Sequence, residues 1–186
     1  MALHRSRNPI RGLYNIGHGV VNSMRYMLAN ILLFLLPPTR WFQFKRYVLR
    51  KLGIKIGSGT NICGGVQFFG GGSVEIGSGC WIGLNTKFIT SPNTVVRIAD
   101  NCDIAPDVIF MCGTHEIGDS ARRAGAGRGE DIVIGAGSWI GVRSTLLGGA
   151  VLQGGNIVGA GTLVRGLQIA SDTLVLGVPG RVARSL

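Results

Sequence analysis

His115 is the side chain whose type and position best suit proton transfer. It is the one histidine after residue 53, because His4 and His18 both lie in the N-terminal segment. An imidazole exchanges protons near neutral pH, so it can act as a general base. Cys112 lies three residues before His115, and an imidazole-activated thiolate there would instead attack a substrate directly. Both hypotheses place the chemistry in the same short segment.

The remaining candidate ligands are too dispersed to predict a metal site. A zinc site of the γ-class carbonic anhydrase type needs three converging imidazoles, whereas residues 54–186 supply only His115. The four cysteines, at positions 63, 80, 102 and 112, contain no CxxC spacing. We therefore expect no metal, and four free thiols in a reducing cytoplasm.

A six-residue repeat sets the scaffold around His115. Apolar residues recur at every sixth position from Ile134 to Val164, and the same register runs upstream in groups of three from Ile56 to Phe110. This period matches neither the turn of an α-helix nor the alternation of a single strand. It is typical of a parallel β-helix, in which three hexapeptides make one coil and stacked coils bury a continuous core.

The position four residues after each of these apolar residues is nearly always small. A bulky side chain there would not fit inside a narrow prism, so these residues are predicted to point inwards. Fifteen hexapeptides predict five coils, about 24 Å tall at about 4.8 Å per strand. The predicted inward residues are Thr60, Val66, Cys80, Thr86, Cys102, Val108, Thr114, Ser138, Ser144, Ala150 and Thr162.

Residues 116–133 interrupt this repeat. The segment reads EIGDSARRAGAGRGEDIV and has His115 at its root. A long excursion from an otherwise regular solenoid is typical of a functional loop. We therefore predict that the loop helps to form the active site.

Residues 1–53 are predicted to form a helical arm that precedes the β-helix domain of residues 54–186. The uncharged stretch 26–39 is too short to cross a bilayer, which takes about 20 residues, and Pro37 and Pro38 should end its helix at Leu36. A second helix is predicted from an N-cap at Thr39 to a stop at Gly53. Its predicted apolar face consists of Trp41, Phe44, Val48 and Leu52, and its other faces carry the basic residues Arg40, Lys45, Arg46, Arg50 and Lys51.

Positive charge is concentrated at the N-terminal end. Residues 1–74 contain ten Lys or Arg and no Asp or Glu, whereas residues 75–186 contain nine of each sign, so the whole net charge of +10 belongs to the first part. This asymmetry indicates an anionic partner. A basic amphipathic helix with aromatic residues favours an anionic membrane surface, and no motif indicates nucleic acid. The alternative is that both helices only cover the open end of the β-helix.

Four segments carry a family resemblance: IADNCDIAPDVIFMCGTH, the loop that contains Arg122, IGAGSWIGVRSTLLGGAVLQGGNIVGAGTLV and LGVPGRVAR. Together they resemble the hexapeptide-repeat acetyltransferases of the galactoside and maltose acetyltransferase type, over about residues 54–184. The segment that leads into the repeat, RYVLRKLGIKIG, is similar to the corresponding segment of acetyltransferases of polysaccharide biosynthesis. The resemblance implies a left-handed β-helix that forms a homotrimer, with acetyl-CoA in a groove between neighbouring prisms.

The resemblance also implies roles for individual residues. His115 would be the general base, and Asn85 would contact the acceptor or the reacting centre. Asn93 stands where the family has an acidic acceptor ligand, and Arg122 belongs to the matching loop, which gives an acceptor-binding set of Asn85, Asn93 and Arg122. Guanidinium groups bind phosphate bidentately, so arginines near the C-terminus are candidates for the coenzyme phosphates. The implied acetyl-CoA-binding residues are Trp139, Gly141, Ala160, Arg165, Arg181 and Arg184.

The implied function is transfer of acetyl from acetyl-CoA to a sugar hydroxyl of a surface glycan or its precursor. The protein would be cytoplasmic and peripheral on the inner face of the cell membrane. One alternative is N-acetylation of an amino sugar, or acetylation of a small molecule or xenobiotic. A second alternative, of another class, is a membrane-attached β-helix scaffold without catalytic activity, which would release no CoA.

Overall fold

The computed structural model describes residues 23–186, so residues 1–22 of the predicted arm lie outside the described residues. Two helices precede a solenoid whose strands, numbered in chain order, fall in turn into three parallel sheets that we name A, B and C. These sheets are the three sides of a prism. The prediction of a left-handed parallel β-helix is confirmed.

Sheet A begins each coil. Its strands are β1 (Lys55–Ile56), β4 (Ser73–Ile76), β7 (Val95–Ile98), β12 (Ile132–Ile134), β15 (Val151–Leu152) and β18 (Gln168–Ile169). Sheet B follows with β2 (Asn61–Ile62), β5 (Trp81–Ile82), β8 (Asp103–Ile104), β13 (Trp139–Ile140), β16 (Ile157–Val158) and β19 (Thr173–Leu176), and ends on the antiparallel β20 (Arg181–Ser185). Sheet C contains β3 (Gln67–Phe69), β6 (Lys87–Ile89), β9 (Ile109–Met111), β14 (Thr145–Leu147) and β17 (Leu163–Val164). A separate hairpin consists of β10 (Gly113–Ile117) and β11 (Ala124–Gly129).

The predicted register is confirmed, but the number of coils is larger than five. The six apolar residues from Ile134 to Val164 are all at most 1% exposed. Beyond Val164 the next buried apolar residue is Ile169, five positions on, and Val175 then restores the spacing of six. This single slip hides the strands β18 and β19, which begin a sixth coil.

The core of the prism is a ladder of like residues from successive coils. Phe68, Phe88 and Phe110 stack nearly parallel along sheet C, with ring centroids 5.2 and 5.1 Å apart. Tyr26, from the helix that precedes the solenoid, extends the stack at 5.6 Å from Phe68. The aromatic column is therefore closed by a helical residue at the first coil.

All but one of the small residues predicted to point inwards are buried, and Cys80 and Cys102 lie on adjacent coils of this interior. Thr114 is the exception, because it is exposed on the hairpin strand β10. Its prediction was wrong, since the chain leaves the solenoid at Gly113, before the position of Thr114 is reached.

Helix α1 covers residues 23–35 of the described chain, and α2 runs from Phe42 to Lys51. The first helix ends one residue before the predicted Leu36, as expected for a chain that enters two prolines. It packs Tyr26, Ala29 and Leu33 against the solenoid. The alternative that the helices cover the open end is thus confirmed for their inner faces.

Two predictions for α2 were wrong. Its N-cap is Trp41, in a left-handed conformation (φ 56°) and without a side-chain cap, rather than Thr39. Its buried side chains are Lys45 and Leu49, whereas Trp41 and Phe44 of the predicted apolar face are 61% and 49% exposed. Three of its bases, Lys45, Arg46 and Arg50, therefore turn towards the protein, because the end of the solenoid presents carbonyl oxygens that need donors.

Lys45 is the centre of this cap. Its side chain is fully buried, and its ammonium donates to the carbonyls of Pro37 (2.7 Å), Pro38 (3.0 Å) and Ile62 (3.4 Å). Arg46 donates to Thr60 O and Arg50 to Ile56 O, both at 2.7 Å. Burial lowers the pKa of Lys45, and the three carbonyls supply the hydrogen bonds that a buried ammonium requires.

Candidate active site

The interruption at residues 116–133 is not irregular, because most of it forms the β-hairpin of β10 and β11. These strands pair in antiparallel register, with His115 opposite Gly127. Asp119 stabilises the turn between them through bonds from the backbone N–H groups of Ala121 (3.0 Å) and Arg122 (3.1 Å). The loop predicted to carry function is therefore a defined arm that projects from the corner between sheets C and A.

Glycines let the root of the hairpin lie directly on the prism. A Cβ on Gly113 would lie 2.7 Å from Ser91 Oγ, and one on Gly129 would lie 2.7 Å from Thr94 Cγ2. Both distances are shorter than real Cβ contacts, so larger residues would push the hairpin off the turn between β6 and β7. This close packing fixes the position of His115, two residues beyond Gly113.

The ring of His115 is oriented by a backbone group. Its Nδ1 lies 3.0 Å from the carbonyl oxygen of Gly125, on the facing strand. A carbonyl oxygen can only accept, so Nδ1 carries the proton and the Nε2 lone pair is free to accept another. The arrangement leaves Nε2 as the ring nitrogen that can accept a proton.

His115 lines a groove of ≈ 630 Å³ between the hairpin and the corner of the prism. Ser91, Pro92 and Met111 form the prism side of the groove, and Arg128 lies on the hairpin side. Arg128 lies between two carboxylates: its Nε is 3.2 Å from Glu116 Oε1 and its Nη1 is 3.0 Å from Glu130 Oε1. The groove is large enough for part of a small substrate.

Two further predicted residues lie at the same corner. Asn93 is in the turn between β6 and β7, where it lines a depression next to the groove together with Asp131. Arg165 follows β17 and lines a cavity of ≈ 220 Å³ that shares Met111 and Arg128 with the groove. Arg122 belongs to the tip of the hairpin and does not line the groove.

The other predicted residues lie across the prism from His115. Trp139 is 54% exposed on strand β13 of sheet B. Gly141 and Ala160 follow β13 and β16, at the corner between sheets B and C, and Asn85 occupies the same corner two coils earlier. Arg181 and Arg184 lie on β20, which pairs with the last strand of sheet B. One chain therefore does not bring the whole predicted set together.

Backbone geometry accounts for some of these residue types without any ligand. Asn85 and Asn93 both have positive φ, 58° and 63°, a conformation that asparagine adopts more readily than most residues. A Cβ on Gly141 would lie 2.6 Å from the backbone nitrogen of Ala160. Close stacking of coils thus already requires glycine at position 141.

The thiol of Cys112 is a poor nucleophile in this structure. Its side chain is fully buried in the prism, and burial raises its pKa. A nucleophilic cysteine needs an accessible thiolate. All four cysteines are free, as predicted, and all four are buried.

The sequence analysis missed two features of the site. One is the Gly125 carbonyl that orients His115, and the other is Arg128 with its two carboxylates. The alternation AGAGRG that forms β11 is the pattern that could have indicated a second strand packed closely on the prism. Within residues 23–186, no three His, Cys, Asp or Glu side chains cluster as metal ligands would.

Known proteins agree with the motif resemblance. The galactoside O-acetyltransferase of Escherichia coli is 29% identical over 121 residues, which is 65% of this chain and 58% of that protein. The chain thus covers little more than half of this curated relative. A solved galactoside acetyltransferase in complex with coenzyme A superposes with a TM-score of 0.75 at 25% identity, over 88% of this chain and 80% of that one.

A hexapeptide-repeat acetyltransferase from Vibrio cholerae, complexed with acetyl coenzyme A, shares the fold. Its TM-score is 0.63 at 23% identity, over 89% of this chain and 87% of that one. No protein-family model matches the chain. The predicted relationship to hexapeptide-repeat acetyltransferases of the galactoside type is confirmed by these relatives.

Proposed function

We propose that this protein is an acetyl-CoA-dependent O-acetyltransferase that acts on a hydroxyl of a sugar, in a surface glycan or its precursor. The observation that carries the proposal is the 3.0 Å contact between His115 Nδ1 and the Gly125 carbonyl. It leaves Nε2 as a proton acceptor at the edge of a groove. The relatives named galactoside O-acetyltransferase support an oxygen nucleophile and a sugar acceptor.

The chemistry follows from the orientation of the ring. Nε2 of His115 takes the proton of the acceptor hydroxyl while its oxygen attacks the carbonyl carbon of the thioester. The tetrahedral intermediate then expels the CoA sulfur, which takes the proton back from the imidazolium. The Gly125 carbonyl stabilises the imidazolium through the Nδ1 hydrogen bond, and a positioned base of this kind typically contributes about 10²–10⁴-fold to the rate.

The position of the coenzyme suggests a homotrimer. Trp139, Gly141 and Ala160 lie along one side of the prism, while His115 lies at a different corner. In a closed ring of three copies, the B–C corner of one copy would face the hairpin of the next. Acetyl-CoA would then bind in the groove between the two copies, with Arg165, Arg181 and Arg184 as candidates for its phosphates.

The acceptor would bind on the hairpin side. Asn93 and Asp131 line the depression next to the groove, and the resemblance implies that Asn85 and Arg122 also belong to the acceptor set. Asn85 would reach the acceptor only from a neighbouring copy. Carboxylate and amide groups are suited to hydrogen bonds with the hydroxyls of a sugar. Asn93 stands where the family has an acidic acceptor ligand, and Asp131 can supply a carboxylate in its place.

The test is the substitution His115→Ala. We expect acetyl transfer to fall at least about a hundredfold, because a general base is lost. The measurement is CoA release with galactosides and with amino sugars as acceptors, alongside the oligomer mass and circular dichroism of the variant.

Lys87→Ala is a suitable control, since Lys87 is an exposed cation on the outer face of β6. It should retain the activity of the wild type. Near wild-type transfer by a folded His115→Ala protein would exclude His115 as the base. Transfer by the wild type to amino groups alone would establish the N-acetyltransferase alternative.

A further inference from the structure

Both N-terminal helices carry large apolar side chains on the faces that point away from the protein. On α1 the buried side is Tyr26, Ala29 and Leu33, and the opposite side is exposed throughout. Phe34 and Leu35 are the extreme cases, at 83% and 72% exposed. We name this outer face the α1 stripe; it consists of Met24, Met27, Leu28, Ile31, Phe34 and Leu35.

Helix α2 adds an aromatic row with flanking bases. Trp41, Phe44 and Tyr47 are 61%, 49% and 60% exposed. Phe44 and Tyr47 lie on the side of the helix away from the buried Lys45 and Leu49, and Trp41 precedes the helix as its N-cap. Lys51 is exposed, with its Nζ 5.6 Å from the centroid of the Tyr47 ring, and Arg40 is exposed just before the N-cap. Together, tryptophan, tyrosine and basic residues are typical of the boundary between membrane and water.

Large apolar side chains exposed at successive turns of a helix are unusual for a protein that contacts only water. A helix that is apolar on every side is normally buried, and large exposed apolar patches mark interaction sites. Within residues 23–186, no helix is long and apolar enough to cross a membrane. The described part of helix α1, residues 23–35, is about 20 Å long at 1.5 Å per residue, and its apolar stripe would lie along a membrane surface if the helix lay parallel to it.

The charge of this end of the chain selects the partner. Residues 1–74 hold ten basic and no acidic residues, so this end of the chain carries a net positive charge. A second copy docked on the same face would bring like charges together, whereas anionic lipid headgroups would neutralise them. Lys45, Arg46 and Arg50 each donate to a carbonyl of the first coil, which leaves Arg40 and Lys51 for such a partner.

We propose that the α1 stripe and the aromatic row of α2 form a docking surface for an anionic lipid bilayer. The helices lie in the headgroup region, with the stripe inserted between acyl chains and with Arg40 and Lys51 at the phosphates. This attachment does not depend on acetyl transfer. It can therefore hold even if the proposed activity fails.

Flotation of the full chain with lipid vesicles tests the proposal. The probe is a set of phosphatidylcholine vesicles with and without about one third phosphatidylglycerol, and the key variant is Ile31→Gln/Phe34→Gln/Leu35→Gln. We expect the wild type to float with anionic vesicles and the variant to partition at least about tenfold less. High salt should weaken attachment of the wild type only in part, because screening leaves apolar burial intact.

A matched control removes exposed apolar groups elsewhere. Ile117 and Val182 are 90% and 55% exposed on the hairpin and on β20, and Ile117→Gln/Val182→Gln should float like the wild type. All three substituted side chains of the key variant face outwards, so its circular dichroism should be unchanged. A wild type that stays in solution with anionic vesicles would overturn the proposal, as would equal flotation of the stripe variant. A lower oligomer mass of the stripe variant without lipid would show instead that the stripe binds a second copy.

Discussion

At the scale of single residues, the candidate site depends on the hydrogen bond between His115 Nδ1 and the Gly125 carbonyl. The Gly125 carbonyl cannot donate, so the proton of His115 must lie on Nδ1 and the lone pair on Nε2. Gly113 and Gly129 hold the strands that carry both groups on the turn between β6 and β7. A base prepared in this way needs no carboxylate partner.

The same geometry places His115 and Cys112 in different environments, although they are only three positions apart in the sequence. His115 has left the prism on β10, whereas Cys112 is still inside it. We predict that Cys112→Ala retains acetyl transfer within about threefold, because no covalent intermediate forms on this thiol. It should lose about 1 kcal/mol of stability, since a small buried side chain is truncated.

Steady-state CoA release and urea unfolding of Cys112→Ala are the measurements. His115→Ala supplies the matched comparison, because the two proteins should differ by about two orders of magnitude in rate. A loss of activity in Cys112→Ala as large as that of His115→Ala, in a folded protein, would restore the thiolate mechanism.

At the scale of elements, the inner faces of the helices close the solenoid, and their outer faces form the proposed docking surface. The inner faces close the solenoid through Tyr26, Leu33 and the carbonyl contacts of Lys45. The sequence pattern predicted the C-terminal end of α1 and both ends of α2 within about two residues. It assigned the faces of α2 wrongly, because hydropathy takes lysine as a surface residue and cannot see three carbonyls that converge on it.

Tyr26 offers a test of how α1 is attached. Its hydroxyl donates to Gly72 O at 2.9 Å, and burial raises its pKa to about 12. Because the folded-state pKa exceeds the ordinary value of about 10, the contribution to stability is complete below pH 10 and is lost as the pH rises through about 12. The loss should amount to about 2–3 kcal/mol.

We therefore predict that Tyr26→Phe is less stable than the wild type at pH 8, by about 1 kcal/mol for the missing hydrogen bond. Between pH 9.5 and pH 12 it should lose less stability than the wild type. Urea unfolding across this range measures both effects. All other groups are common to both proteins, so the difference between them reports Tyr26 together with its interaction with Cys112. Parallel declines of the two proteins would contradict the prediction.

At the scale of the whole molecule, the proposed membrane-docking surface and the candidate active site lie on different coils of the solenoid. The docking surface lies at the first coil, and the hairpin with His115 leaves the third coil. Two strand spacings amount to about 10 Å, so a protein attached through its helices would hold His115 close to the membrane surface. An acceptor carried on a lipid would then be within reach.

The regular part of this architecture was predictable, and the site was predictable only in part. The six-residue period gave the three sheets and their inward residues, because each coil repeats the same steric constraint. The slip between Val164 and Ile169 broke the period and hid the last coil. The motifs gave His115, but they could not show that Trp139 and Ala160 lie on another side of the prism, since that depends on where the corners fall.

This separation leads to a prediction about assembly. If each site combines the hairpin of one copy with the B–C corner of the next, then His115→Ala and Ala160→Trp damage different halves of the site. Ala160 is exposed at its corner, so a tryptophan there should block the coenzyme without unfolding the chain. Each variant alone should be inactive.

Mixed trimers of the two variants should regain activity. In any ring with both kinds of copy, one interface pairs an intact His115 with an intact Ala160, so we expect about one third of the wild-type rate per trimer. Co-expression with two tags and tandem purification isolates the mixed rings for a CoA-release assay. Mixtures of His115→Ala with the double variant His115→Ala/Ala160→Trp provide the control, because they contain no intact base and should stay inactive. If the mixed trimers of the single variants are equally inactive, the site must lie within one copy, since only a site shared between copies can be rebuilt from two damaged halves.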